Sequence, residues 1–468
     1  MSFKAATTKV SDNHYVLPRT AKMKTDVHAY FSESLFLQSE ESLWRQVASA
    51  ASYEGVIGAY LMPDAHVGFG VPVGSVIVTD NTILQAGSGY DISCGVIYMR
   101  VPGISAADVV DLEVRERFIS EVELRVATGL GSKRPRLMPK VAERKAEAIL
   151  RHGARALGVR AEVCERQFIE VAEDVDLDLI DRARRKVIEQ LGSVGGGNHF
   201  IEMQVDRDTG EVWVMVHCGS RGYGWQTANH FFYEGARLRG LSSNRREDSW
   251  LYADEPLGKS YWAHHNSAAN YAIANRHLIA SSVSDALERV FKVRGEIYYE
   301  ISHNLVQAES VTLPDGTVSR GFVHRKGATR AFPAGHPELA GTKWEDTGHP
   351  CLIPGSMLDG AAILFACTDA SKSGLSVNHG SGRVLARGAA KRTLEKDHDA
   401  IDAEMRHVSR SFGGVRIQGI ATNTKRTPLD ECGRVYKDLD SVLSVLENEG
   451  IARVAHRLYP VANIKGME

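Results

Sequence analysis

Hydrophobic and polar positions alternate most clearly in three stretches of the chain. Residues 71–100 read as strands: "VPVGSVIVTD", then "ILQAG", then "GVIYMRV". "NHFIEMQV" and "EVWVMVHC" are β-rich runs flanking the polar turn "DRDTG", which predicts a hairpin. A third pairing is expected from "GEIYYEISHN" to "GFVHRKG", with "LPDGT" between them. Helical periodicity predicts helices over 106–126, 139–157, 175–190, about 259–292 and 384–410. Strand groups separated by helical blocks predict an α+β fold with central antiparallel sheets surrounded by helices. With no repeat, low-complexity tract or clear linker, residues 1–468 read as a single domain.

Composition changes this picture little. Apolar residues make up 43% of the 468, enough for a large core. No run reaches the roughly 18–20 apolar residues a membrane span needs. "MSFKAATTKVSDNHYV" has no apolar core of the secretory type, so no signal peptide is expected. The six cysteines are scattered without a CxxC pair, which points to reduced thiols and a cytoplasmic setting. The net charge of −2 excludes a globally basic nucleic-acid binder, so any such role needs local basic surface. The candidates are Lys133, Arg134 and Arg136 in "SKRPR", "RARRK" at 182–186, and "NRR" at 244–246; solvated surface is the plainer reading of each.

Chemistry concentrates where predicted strands end beside glycine, positions from which side chains can converge on a rigidly held site. "GSGYDISCG" sets Asp91 and Cys94 three apart, close enough for both to reach one metal ion. "GGGNHFIE" leads three glycines into Asn198, His199 and Glu202; the glycines form either a phosphate-cradling nest or a flexible turn. "VMVHCGSRG" ends a strand on His217, with Arg221 in the loop beyond. "YYEISHN" supplies His303 and Asn304, and "FVHRKGATRAF" supplies His324, Arg325, Lys326 and Arg330. "VNHGSGR" sets His379 among small residues, where it could be a metal ligand, a general base or an accident. Most of the other histidines lie on predicted helices or near the terminus.

Imidazoles with one carboxylate and one thiolate make a borderline-soft set suited to Zn²⁺, Mn²⁺, Fe²⁺ or Co²⁺. Five ligands for two ions would leave open positions for phosphate oxygens or water. Absences narrow the chemistry. "PLGKS" is not a Walker A motif, since Ala253 stands at the leading glycine position, and neither HExxH nor the lysine-nucleophile motif KxDG occurs.

"MPDAHVGFGVPVGSV", "GYDISCGV", "GGGNHFIE", "HCGSRG", "ANYAIANR", "SHNLVQAE", "HRKGATRAFPAG", "IPGSM", "HGSGR" and the terminal "IKG" together resemble the RtcB family of RNA ligases, in the family's order and over about residues 60–466. The resemblance implies an α+β, RtcB-like fold and an enzyme that joins an RNA 3′-phosphate or 2′,3′-cyclic phosphate end to a 5′-hydroxyl end with GTP and two Mn²⁺ ions. It makes His379 the guanylylated nucleophile. It makes Cys94 the bridge between the ions, with Asp91 and His199 completing one ligand set and His217 and His303 the other. It lines the GTP site with Asn198, His199, Phe200, Ile201, Glu202, His303, Asn304, Pro354, Gly355, Ser356, Met357, His379, Gly380, Ser381 and Gly382, with Lys465 reaching the guanine. Asp64, Lys326, Arg330 and Arg383 are expected near the nucleotide or RNA phosphates. It further implies a monomer, and family members can be assisted by archease, a small acidic protein.

The chain departs from the family pattern at several places. The family commonly reads "GSMGTASY" where this chain has "GSMLDGAAI", so Ala361 replaces a serine expected to contact the nucleotide, a loss of about 1 kcal/mol if that bond is neutral. Ser381 replaces alanine, Ser93 replaces asparagine, and Cys218 stands for the usual threonine or serine, as a small buried residue or an extra soft ligand. These changes suggest a divergent paralogue acting in RNA repair rather than tRNA splicing. Two other readings compete: a metal-dependent cyclic phosphodiesterase that heals ends without sealing them, and a non-catalytic RNA binder.

Overall fold

The computed structural model describes residues 2–129, 135–160 and 171–466. Lys133, Arg134 and Cys164 lie outside the described residues.

Two large sheets carry the fold. One has seven strands, in the order Thr8–Lys9, His14–Leu17, Val27–Tyr30, Val56–His66, Val73–Thr79, Val318–Lys326, Asn304–Thr312. The other has eight. Its main path runs Glu296–Ser302, Gly95–Ser105, Glu211–Cys218, Phe200–Asp206, Ala452–Lys465, Ala361–Ala366, Pro350–Pro354, and Ala421–Thr422 adds in parallel to Ala452–Lys465. Apart from that strand and the parallel pair Val27–Tyr30 with Val56–His66, both sheets are antiparallel, as the alternation predicts.

Strand alternation sorts the side chains of the larger sheet between two cores. Tyr98, Trp213, Met215 and Tyr299 face a core shared with Ile77 and Val323 of the seven-stranded sheet. Met99, Val214, Val216 and Ile201 face the opposite way, packing with Phe118 and Val122 of helix Leu112–Glu123 and Ile279, Val283 and Leu287 of helix Pro256–Phe291. His217 follows Trp213 and Met215 on the face between the sheets. Phe200 and Glu202 share that face, opposite in register to His217 and Met215.

Helix Pro256–Phe291 starts with proline at its first position, where no intrahelical N–H is lost. Its segment His264–His277 is buried throughout, so it is a core helix rather than an amphipathic surface one. None of the helices among the described residues is long and apolar enough to cross a membrane.

Several expected elements break up. The 384–410 helix is two, Arg387–Leu394 and His398–His407, and 106–126 begins as a 3₁₀ turn before Asp111 caps Leu112–Glu123. Of the 175–190 stretch, only Asp181–Gln190 is α-helical. The third predicted hairpin is the larger correction. Glu296–Ser302 pairs with Gly95–Ser105 in one sheet, whereas Asn304–Thr312 pairs with Val318–Lys326 in the other. The chain crosses between sheets at His303, whose N–H donates to the carbonyl of Cys94 (2.7 Å) and whose carbonyl accepts from Ala328 N–H (3.1 Å). A continuous β-like pattern cannot reveal such a crossing, because both halves are strand and the chain is buried on either side of the junction, at Tyr299 to His303 and at Leu305 and Val306.

Candidate active site

The crossing at His303 brings five of the expected side chains together. Cys94 Sγ lies 3.4 Å from His199 Nε2 and 3.3 Å from His217 Nε2, and His217 Nε2 lies 3.3 Å from His303 Nε2. His199 Nε2 is 2.9 Å from Asp91 Oδ2. The donors fall into two groups, Asp91–Cys94–His199 and Cys94–His217–His303, each with its ligand atoms within 4.8 Å of one another and with Cys94 in both. His199 Nδ1 donates to the Val194 carbonyl (3.1 Å), so Nε2 is the nitrogen that faces the cluster; without an ion it donates to the Asp91 carboxylate, and its lone pair is available only once a metal displaces that proton. Carboxylate, thiol and imidazole groups converging in this way are a donor set that could hold a borderline-soft divalent metal ion.

Without an ion, protons occupy part of this donor set. Burial opposes charge on His199, yet Cys94, Cys218 and Asp91 outweigh it and hold the imidazole well above its usual value, so a metal would displace protons from His199 and Cys94. Burial, with Asp91 beside it, pushes the Cys94 thiol up to about 12. Burial also opposes charge on Asp91, yet the His199 imidazole and the Arg221 guanidinium outweigh it and hold the carboxyl well below its usual range. Burial drives His217 and His303 far below the ordinary imidazole value, so both are neutral and their lone pairs available.

A buried arginine fixes this geometry. Arg276, fully buried on the long helix, donates to the Ser93 carbonyl (2.6 Å), the Cys218 carbonyl (2.8 Å), Glu300 Oε1 (2.7 Å) and Ser302 Oγ (3.0 Å). One guanidinium thus ties the segments bearing Cys94, His217 and His303. Ser93 is held at φ 58°, a left-handed conformation rare outside glycine, and its N–H donates to the Asn304 carbonyl (2.6 Å). Gly219 admits Asp91, since a Cβ there would meet Oδ1 at 2.2 Å.

His379 follows the short strand Ser376–Asn378, and its ring centroid lies 4.8 Å from that of His303. Its Nδ1 donates to Asp64 Oδ2 (2.7 Å). The carboxylate can only accept, so Nδ1 carries the proton and Nε2 carries the lone pair. Asp64 is fully buried, whereas the His379 side chain is 18% exposed and lines a pocket. Gly382, at φ 76°, lets the loop close over Asp64, because a Cβ there would sit 2.2 Å from the Asp64 carbonyl oxygen.

That pocket, of about 260 Å³, is lined by most of the residues expected to bind nucleotide: Asn198, Phe200, Glu202, Asn304, Pro354 to Met357, Gly380 to Gly382 and Lys465, along with Lys326 and Arg383. Four expected residues do not line it: His199 belongs to the ligand cluster, Asp64 is buried behind His379, and Ile201 and Arg330 are carried elsewhere. Ile201 is turned by strand alternation into the helix-side core. Arg330 is carried by strand Ala328–Arg330 to Glu309 (3.9 Å) and the Phe332 ring. Cys218 likewise lies on the helix side, its thiol near the Val194 carbonyl (3.3 Å) and accepting from Asn275 Nδ2 (3.2 Å), so it is a small buried residue outside both ligand groups.

Sequence reasoning missed part of the lining. Glu431 gathers Lys465 Nζ (2.8 Å), Arg387 Nη1 (2.7 Å), Arg383 Nη1 (3.3 Å) and the Tyr436 hydroxyl (2.6 Å). Burial opposes its charge, but Lys465 and Arg387 hold its carboxyl below the usual range. Nothing in "LDECGRVYKD" marks these residues in one dimension. Asn463 and Gln204 donate to Glu202 (2.8 and 2.6 Å), and burial pushes Glu202 up to about 7.

The fold and the site define an α+β enzyme whose pocket sets an oriented imidazole beside a cluster of metal-competent side chains. The family model described as tRNA-splicing ligase RtcB matches residues 46–466. The tRNA-splicing ligase RtcB of Archaeoglobus fulgidus is 31% identical, with 100% of both chains covered. That of Aeropyrum pernix is 31% identical over 98% of this chain and 99% of its own. The RNA-splicing ligase RtcB of Mycobacterium bovis is 31% identical over 90% of this chain and 100% of its own. The chain belongs to the RtcB family.

Proposed function

We propose that this protein is an RNA ligase that joins 3′-phosphate or 2′,3′-cyclic phosphate ends to 5′-hydroxyl ends, using GTP, through a guanylylated His379. One observation carries the reading: a single pocket holds an imidazole braced through Nδ1 by the buried carboxylate of Asp64, beside two ligand groups that share one thiol.

In this reading His379 Nε2 attacks the α-phosphorus of GTP. The N–P bond forms as the bond to pyrophosphate breaks, and the positive charge developing on the ring is offset by Asp64. Two Mn²⁺ ions held by Asp91, Cys94, His199, His217 and His303 would supply neutralisation of charge on the phosphoryl oxygens. Addition of water opens a cyclic end to the 3′-phosphate. An oxygen of that phosphate then takes GMP from His379, breaking the N–P bond and freeing the imidazole. The 5′-hydroxyl oxygen finally attacks the 3′ phosphorus, and GMP leaves. Lys326 and Arg383 line the pocket and can meet phosphate oxygens.

RNA bearing 3′-phosphate and 5′-hydroxyl ends, mixed with the protein, GTP and Mn²⁺, is expected to give joined product, and none with His379→Ala. Ligation by His379→Ala at the wild-type rate would contradict the mechanism. Opening of cyclic ends without sealing, and without GTP consumption, would identify an end-healing hydrolase instead.

A further inference from the structure

We propose that an exposed aromatic surface formed by Tyr90, Trp225 and Tyr233, with Arg246 among the rings, is a stacking platform for a single-stranded stretch of the RNA whose end is being joined. The inference rests on reading the chain as an RNA ligase.

Trp225 and Tyr233 are 47% and 46% exposed, although both are large aromatic side chains on helix Arg221–Leu238. The Trp225 ring stacks on that of Tyr90, with centroids 5.5 Å apart and planes 19° from parallel. Tyr90 is backed by Phe69 and Phe232, at 5.0 and 5.1 Å. Packing from below holds these rings, while Trp225 keeps much of its surface open. Arg246 donates to the Tyr90 hydroxyl (3.2 and 3.3 Å), and its guanidinium lies 5.1 Å from the Tyr233 ring centroid. Its Nη1 also donates to the Ser243 carbonyl (3.0 Å). Among the described residues no carboxylate forms an ion pair with it, although Glu247 stands next to it in sequence, so the guanidinium is held by ring, hydroxyl and carbonyl contacts and can still meet an outside anion. The neighbouring helix Asp181–Gln190 exposes Arg182 and Arg185, and its Gln190 side chain accepts from Gly222 N–H at the start of the Trp225 helix (2.8 Å).

The surface adjoins the site at three points. Tyr90 directly precedes Asp91. Ser220 N–H donates to Asp91 Oδ1 (3.0 Å), and Trp225 lies five residues further along, about 7.5 Å at the helical rise. Lys326, which lines the pocket, donates to the carbonyl of Phe69 beneath Tyr90. A strand of RNA leaving the pocket past Asp91 would therefore meet open aromatic faces and a guanidinium with no ion pair among the described residues. Flat π-faces for bases beside a cation for phosphate are the chemistry of sequence-tolerant single-strand binding. A protein partner would also bury aromatic rings, but it gives no reason for an arginine that has no ion pair among the described residues beside a phosphoryl-transfer pocket.

The test uses a fluorescently labelled single-stranded RNA with a 3′-phosphate, read by anisotropy on the full-length protein. Trp225→Ala is expected to weaken binding on the order of tenfold, with Trp225→Phe retaining most of it. Arg246→Gln is expected to weaken binding and lower its salt dependence. In ligation, Trp225→Ala should raise KM for RNA while kcat and GMP uptake by the protein stay unchanged. Wild-type affinity and KM in Trp225→Ala would overturn the platform, including in favour of a protein-docking role. A wild-type protein that takes up no GMP would instead overturn the ligase reading, and the anisotropy comparison would still decide whether RNA binds at Trp225.

Discussion

At the scale of the residue, the decisive contact is between Asp64 and His379. A fully buried carboxylate that accepts from Nδ1 fixes both the tautomer and the direction of the ring, and leaves Nε2 free for phosphorus. Asp64→Asn can present its amide in either orientation and loses the charge that offsets the guanylylated ring. It is expected to slow GMP uptake on the order of 10²-fold or more, with little change in folded structure, as read by single-turnover labelling with GTP. Ser381 is the other informative position. Its hydroxyl is buried and, among the described residues, has no hydrogen-bond partner, although the residue lines the pocket. Ala361, where the family pattern has serine, is fully buried in the inter-sheet core. Ser381 can thus give the nucleotide a hydrogen bond that position 361 cannot. Ser381→Ala is expected to raise KM for GTP about fivefold, the equivalent of one neutral bond near 1 kcal/mol, with kcat unchanged. His379 stood out in the sequence because a lone imidazole among glycine, serine and asparagine has no apolar wrapping. Its brace did not: Asp64 is 315 positions away.

At the scale of the element, five candidate ligands sit at or just beyond strand ends, and helix Pro256–Phe291 locks three of their segments through Arg276. Arg276→Gln leaves Glu300 buried without its cation. That is expected to cost about 3–5 kcal/mol of stability by urea unfolding. It should also weaken Co²⁺ binding, read from its absorption bands, on the order of 10- to 100-fold. The double variant Arg276→Met, Glu300→Leu separates the two effects: it should recover stability but not affinity. If Arg276→Gln bound Co²⁺ as tightly as wild type, the tie would have no bearing on the ligand geometry. The hairpin that carries Glu202 and His217 was legible because alternation and a glycine-containing turn coincide there. The strand Ala452–Lys465 was not, although it lies between Phe200–Asp206 and Ala361–Ala366 and carries Asn463 and Lys465 to the pocket. Pro460 interrupts its pattern, and the sheet accommodates that proline at a register shift.

At the scale of the whole molecule, many imidazoles are buried away from the site. Burial lowers His28, His265 and His324 to about 4, and His349 to about 3. Above pH 6.5 these rings are neutral in both folded and unfolded chains, and their contribution to stability is intact. As pH falls from 6.5 towards 4 the unfolded chain takes up protons that the folded one refuses, and each such ring removes about 1.4 kcal/mol per pH unit. The urea midpoint, measured with a chelator present, is therefore expected to fall steeply from pH 7 to pH 5. His28→Gln, at the His14–His28 contact (3.0 Å), should shallow that slope. An unchanged midpoint across this range would contradict the burial of these rings as neutral groups.

The central claim is that His379 becomes covalently guanylylated, and intact-mass measurement after incubation with GTP and Mn²⁺ tests it most directly. The account predicts a mass increase of one GMP on the wild-type protein, no increase on His379→Ala, and none without the metal ion. An increase that persists in His379→Ala, or its absence from the wild-type protein under conditions where RNA ends are joined, would contradict it.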